Sequence, residues 1–447
     1  MIRVLLLTIA ACAVAGTAMA APAAELPRRA WLGAGLKVGA DKAVTVSELL
    51  TPSLGLKVGD VVLEVDGRPV SSTSEVASAV AARGGGEAGR LKVRRGGREM
   101  TLSGRYATRP TETYQGGSAA YGVTAFEGGR LRDILVTPTG GAKGPVLFLI
   151  QGYTCDSMEA AQGSSHQQLI EGLLARGIST YRIEKPRAGD SRGGPDCAAM
   201  DFATEVAAFK AGYARLTGEL SVAPDRIFIL GHSLGGLEAP LLAQAGPSPR
   251  GVAVYGTVAR NWRDYLLDVL KYQGFMAGGA DPAKGEIDGE KLRPLIEKIY
   301  ARKLSPAQVA AESPETAELL KTWLGWDGGT GLMGRDVSFW RGISETRFMS
   351  AWRDTKSQVL AIYGESDFAA VDAEDHKLIA EVANHYRPGT GRFVLLPKTG
   401  HGMRLDGDRA QAKARDADAP PGPFNSELVP LIGDWIAASM AKPPVGA

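Results

Sequence analysis

The run RIFILGHSLGGLEAPLLAQ, residues 226–244, constrains the fold more than any other part of the chain. Ile227 to Leu230 are four apolar residues in a row and read as a buried strand. Gly231-His232-Ser233-Leu234-Gly235 follows, with Gly236 beside it, and then an apolar helical stretch. A strand that passes straight into a helix must turn within a few residues. Glycine at the flanking positions removes the Cβ atoms that would collide there. The serine between them is lifted above the sheet and stands at a helix N-terminus, where developing negative charge is favoured. The chain is therefore expected to be built on a sheet covered by helices, with a reactive hydroxyl at one edge.

The rhythm around this stretch agrees. PVLFLIQG, ISTYRIE, GVAVYGT, QVLAIYG and RFVLLP are short apolar runs, and helical stretches such as HQQLIEGLLARG and FATEVAAFKAGYARLTGEL lie between most of them. Alternating buried strands and helices predict an α/β fold with a mostly parallel sheet. YGVTAF and LRDILVTP, just before, read as a hairpin pair.

A serine hydroxyl is a weak nucleophile and needs a base with a carboxylate behind it. Asp367 stands just past the QVLAIYG strand, and His401 lies in the loop after RFVLLP. Glu365, Asp372 and Asp375 are rival acids. Of the other four histidines, His232 is inside the turn, and His166, His376 and His385 fall in helical stretches.

With these residues in place, 119–440 resembles the α/β-hydrolase superfamily, with its esterases and its prolyl-oligopeptidase-like and aminopeptidase-like serine peptidases. The order Ser233, Asp367, His401 is that family's order. The resemblance implies that Ser233 attacks a carbonyl, His401 moves the proton and Asp367 orients the imidazole. It also implies an oxyanion hole from the N–H of Leu234 and the N–H of Tyr153, on the loop after PVLFLIQG. Gln151 replaces the histidine often found before that glycine. Residues 262–350 interrupt the alternation and are expected to form a helical lid. Trp262, Trp323, Trp326, Trp340 and Trp352 either line a substrate pocket or form the lid's own core. The loop from Glu184 to Cys197 is expected on the active-site rim, with Asp190 and Arg192 either touching substrate or, as ordinary surface charges, solvated.

The first 20 residues read as a secretory signal, with one arginine, an apolar run and Ala18-Met19-Ala20 for cleavage. Lipoprotein anchoring at Cys12 is the alternative. The apolar run is too short to span a bilayer, and no later segment is apolar enough, so no transmembrane segment is expected after cleavage. The mature chain would be periplasmic or secreted and would hold two cysteines, Cys155 and Cys197. In an oxidising compartment two cysteines favour one disulfide over two buried thiols. Adjacent strands bring their loops to one sheet edge, so a Cys155–Cys197 bridge is expected. The net charge of +2 and the absence of a basic run give no footing for nucleic acid or a membrane surface. No metal-ligand spacing or phosphate loop occurs, and no cofactor is expected.

Residues 30–105 form a separate unit, joined to the rest by a linker at 106–118. GLKVGDVVLEVDGRPV gives a strand and an Asp66-Gly67 turn, STSEVASAVAARG a helix, and GRLKVRRGGREMTLSGR a hairpin turning at Gly96-Gly97. Gly55-Leu56-Lys57-Val58-Gly59-Asp60-Val61-Val62 resembles the signature of bacterial PDZ domains. That resemblance implies capture of a peptide C-terminus, with Leu32, Gly33 and Ala34 in the carboxylate loop. The alternative is a module that merely packs on its neighbour. The functional expectation is an exported serine hydrolase of carboxylic esters. A serine peptidase of the same fold is one alternative, and a binding protein with an idle hydrolase domain is another.

Overall fold

The computed structural model describes residues 26–39, 43–51, 53–141, 143–244, 246–415 and 420–445. The expected secretory signal at residues 1–20 and the Cys12 alternative lie outside the described residues. The N-terminal module is a sheet in the order β1 (Ala34–Val38), β2 (Val44–Leu49), β3 (Val61–Val65), β4 (Ala88–Arg95) and β5 (Arg98–Arg105), with a short strand Arg68–Pro69 on β3. All these pairings are antiparallel, and β1 is an edge. Helix α1 (Thr73–Ala81) is N-capped by Ser72, whose hydroxyl accepts from Glu75 N–H. Val76 and Val80, one turn apart, pack on Val62, Val65, Leu91 and Val93.

The segment 106–118 is more than a linker. Tyr106 is buried in the N-terminal core, and Ala107–Thr108 pairs with Ala30–Trp31. Glu112 binds the buried Arg182 at 2.8 Å. These residues serve two surfaces in turn, so they carry no single period that a sequence pattern would reveal.

The larger domain is an eight-stranded sheet. Its strands are β6 (Gly117–Phe126), β7 (Gly129–Pro138), β8 (Val146–Ile150), β9 (Ser179–Ile183), β10 (Ile227–His232), β11 (Gly251–Tyr255), β12 (Gln358–Gly364) and β13 (Gly391–Leu396). The spatial order is β13-β12-β11-β10-β8-β9-β7-β6. β8 to β13 are parallel, and the β6–β7 hairpin joins β9 antiparallel. Both faces of the central strands are covered, which is why they read as unbroken apolar runs. Phe148 and Ile150 face α3 (Phe202–Thr217) and α4 (Gly235–Ala243) in one core. Leu147 and Leu149 face α2 (Ser165–Leu174) and a C-terminal helix, Leu428–Ala441, in the other.

Between β11 and β12 lies the helical insertion. Trp262 and Trp340 stack with ring centroids 5.1 Å apart, and Trp352 is fully buried. Trp323 and Trp326 pack half-buried against the same cluster. Trp262, Trp340 and Trp352 thus belong to the core that the insertion shares with one face of the sheet, and Trp323 and Trp326 pack at its margin. No helix among the described residues is long and apolar enough to cross a membrane.

The domains are joined through charge. Arg29 binds Glu159 at 2.6 Å and Asp190 at 3.2 Å, Arg28 also pairs with Asp190, and Arg132 donates to Leu26 O at 2.6 Å. Asp190 is completely buried, so it is neither a surface charge nor a substrate contact. Arg28 and Arg29 come from about 160 residues earlier in the chain and Arg132, 3.7 Å away, from a neighbouring strand, and no local reading of the loop reaches them.

Candidate active site

Ser233 sits at the β10–α4 turn with φ +56°, the left-handed region. Its N–H donates to Tyr255 O at 2.9 Å, which ties the strained residue to β11. A Cβ on Gly235 would lie 2.5 Å from Ile150 O, and one on Gly236 would lie 2.4 Å from Thr257 Oγ1. Only glycine lets α4 start so close to the sheet.

Asp367 follows β12 and is fully buried. One carboxylate oxygen accepts the N–H groups of Ala369 at 2.9 Å and Ala370 at 3.0 Å, and the other lies 2.8 Å from His401 Nδ1. Burial opposes its charge, but the hydrogen bond and charge of His401, with the Ala370 N–H, hold the carboxyl below its ordinary range. The rival acids are used elsewhere. Asp372 and Asp375 bind Arg260, and Glu365 accepts the Lys398 N–H at 2.7 Å.

The other histidines are also placed. His376 Nε2 accepts the Thr257 N–H at 3.0 Å, and burial pushes its pKa down to about 4. His232 lies against His401, with ring centroids 4.9 Å apart and Nε2 2.9 Å from His401 O. Burial first, then the charges of His401 and His166, push His232 down to about 3, so it stays neutral. His166 is likewise pushed down by burial, and His385 is exposed beside Tyr386. Among the described residues only His401, partly exposed, has a carboxylate behind it and an open side. Among the described residues no hydrogen bond joins Ser233 Oγ to His401. Such contacts commonly tighten only when substrate is bound.

The loop after β8 passes over the serine. A Cβ on Gly152 would lie 3.0 Å from Ser233 Cβ and 3.3 Å from its Oγ. The peptide joining Gly152 to Tyr153 is fixed from behind, because Lys185 Nζ donates to Gly152 O at 2.6 Å. In a planar trans peptide the C=O and the next N–H point opposite ways, so this bond aims the Tyr153 N–H away from Lys185. Arg335, from the insertion, donates to Tyr153 O at 2.6 Å, and Gln151 Nε2 donates to Thr154 O at 3.0 Å. Glu205 binds Lys185 at 2.6 Å and Arg335 at 2.7 Å, all fully buried. Burial, and then the charge of Glu205, push the nearby Glu238 well above the usual carboxylate range. Two cations and one ionised carboxylate leave one net positive charge behind the loop.

Cys155, on the same loop, is bridged to Cys197, with Cα atoms 5.9 Å apart. The Tyr153 ring packs on Trp340 at 5.5 Å. Leu234 N–H stands at the first turn of α4 beside the serine. Among the described residues no cluster of histidine, cysteine or acidic side chains could hold a metal ion.

A model described as "Alpha/beta hydrolase family" matches residues 147–414, more than half of the chain. The chain belongs to the alpha/beta hydrolase family. A PDZ-domain model matches residues 32–103, so an N-terminal PDZ domain precedes the α/β-hydrolase domain. No curated protein matches the chain. Among solved structures, Est1E from Butyrivibrio proteoclasticus is 14% identical with a TM-score of 0.44, over 72% of this chain and 99% of its own. An esterase of Pyrococcus furiosus gives 14% and 0.44, over 72% and 92%. A proline iminopeptidase-related protein from Thermus thermophilus gives 19% and 0.41, over 72% and 99%.

The expected residues of this α/β hydrolase sit at one edge of its sheet, but the charges behind the loop were not read from sequence. Two of the four left a trace there. Glu205 lies among Phe202, Val206 and Phe209 on the buried face of α3, and Glu238 interrupts an otherwise apolar α4. A charge on an apolar face is a signal of pairing. Lys185 and Arg335, in loop-like sequence, left none.

Proposed function

We propose that the protein is an exported serine hydrolase that cleaves carboxylic esters through an acyl-enzyme on Ser233. The observation that carries this reading is the 2.8 Å pair of His401 with the buried Asp367, on the sheet edge that bears a strained serine at a helix N-terminus. Asp367 holds the proton on His401 Nδ1 and leaves Nε2 as the base. His401 takes the Ser233 proton as Oγ attacks the carbonyl carbon, then gives it to the departing alcohol. Water repeats the sequence to release the acid. The N–H groups of Tyr153 and Leu234 receive the oxyanion, with the net positive charge around Lys185 behind them.

A second reading, a peptidase of the same fold, draws support from the PDZ domain docked beside the same loops. Both readings need Ser233. Failure of a fluorophosphonate probe to label Ser233 in folded protein would exclude both. A panel of nitrophenyl esters beside aminoacyl-nitroanilides separates them, and faster turnover of the amides would favour the peptidase.

A further inference from the structure

A cavity of about 750 Å³ lies where the PDZ domain meets the hydrolase. Ala34 and Leu36, on one face of β1, form one wall, and Val76 and Val80 of α1 form the other. Among the described residues β1 is an edge strand with no strand beyond it in the sheet, the arrangement that accepts a further strand. A peptide laid antiparallel on Ala34–Val38 ends next to Leu32 and Gly33. That end of the groove is also the C-terminal end of α1, because Ala30 N–H donates to Arg83 O at 2.8 Å.

The hydrolase closes this end. Its two loops, Cys155–Ser157 and Arg187–Gly193, line the same cavity and come from the disulfide-tied rim. Among the described residues four arginines and two acids line the cavity. Arg29 and Arg109 are held by Glu159. Arg187 is more than half exposed, with its acidic neighbour Asp196 3.9 Å away. Arg192 Nη1 donates to the backbone carbonyls of Gly189 and Ser191, both at 3.0 Å. Asp156 is the one remaining lining acid and is exposed.

Resting on the peptide-binding reading of the PDZ domain, we propose that the carboxylate site is shared between domains. Arg187 and Arg192 of the hydrolase take the terminal carboxylate of a peptide whose last side chain, small or aliphatic, lies against Ala34 and Leu36, above the buried Val76 and Val80. The site thus selects a free C-terminus and places it against the loops that carry Cys155 and Cys197. Pro444 and Val445 lie with Pro224, Asp225 and Lys356 where β10 and β12 begin, at the sheet edge opposite the rim loops.

The test uses the full mature chain, immobilised, with two pools of heptapeptides randomised at the last four positions. One pool ends in a free acid and the other in an amide, and bound peptides are read by mass spectrometry. The expected result is enrichment of free acids with small or aliphatic last residues, at least about tenfold over amides, the worth of one charge-assisted contact. The Arg187→Gln/Arg192→Gln variant should lose that preference while its turnover of p-nitrophenyl acetate, which also reports folding, stays native. Capture of neither pool by the native chain would overturn the peptide reading altogether. A free-acid preference that survives in the folded double variant would overturn the hydrolase's share alone, as would single variants that both bind like the native chain.

Discussion

Replacing Lys185 by methionine tests the electrostatic account of the oxyanion hole. Lys185 Nζ lies 2.6 Å from Gly152 O. Across one peptide plane and one normal hydrogen bond, the oxyanion would form about 7.5 Å from that charge. At an effective dielectric near ~20, a unit charge at that distance contributes about 2 kcal/mol, or about thirtyfold in rate. The oxyanion exists only near the transition state, so kcat should fall about thirtyfold while KM changes less than about twofold. Steady-state hydrolysis of p-nitrophenyl acetate, with active sites counted by fluorophosphonate titration, measures both. Methionine leaves Glu205 paired with Arg335 alone, and breaking such a buried pair costs about 3 kcal/mol of stability. The double variant Lys185→Met/Glu205→Gln removes that imbalance and leaves Arg335 as the one net charge, so part of the rate should return. A folded Lys185→Met enzyme with kcat within about threefold of native would refute the reasoning, as would a loss carried wholly by KM.

Other substitutions test neighbouring parts of the site. Ser233→Ala should abolish probe labelling and lower kcat at least about a thousandfold. Asp367→Asn should keep the fold and cost about 10⁴ in kcat, because the imidazole loses its tautomer. Converting Cys155 and Cys197 to serine opens a link of 42 residues, worth about 4 kcal/mol in the chain-entropy model. Urea unfolding should show that loss, and kcat should fall with it as the Tyr153 loop loosens. The pH dependence of stability checks His376. Its folded-state pKa is depressed from 6.5 to about 4, so below 6.5 the unfolded chain takes up a proton that the native one refuses. Stability is therefore lost as pH falls from 6.5 towards 4. His376→Gln should shrink the difference in unfolding free energy between pH 7 and pH 5 by about 2 kcal/mol. An unchanged difference would mean that His376 is charged in the native state.

The sequence by itself determined the elements whose rules are local. The turn at Ser233 was legible because a serine at positive φ between close-packed glycines needs those residues at that spacing. The parallel strands were legible because burial on both faces leaves unbroken apolar runs. The PDZ domain announced itself through its glycine-rich strand and α1. The order of Ser233, Asp367 and His401 could be read because each follows a strand that ends at one edge of the sheet. The tertiary structure alone decided what depends on meetings between distant segments. It set Lys185 and Arg335 on the two carbonyls of the Tyr153 loop, with Glu205 between them. It buried Asp190 among arginines from both domains, turned the insertion's tryptophans inward, and brought Arg187 and Arg192 to the cavity between the domains. A charge in a loop has the same sequence signature whether solvated or buried. Its role depends on the partner's distance, and that distance exists only after the chain has closed on itself.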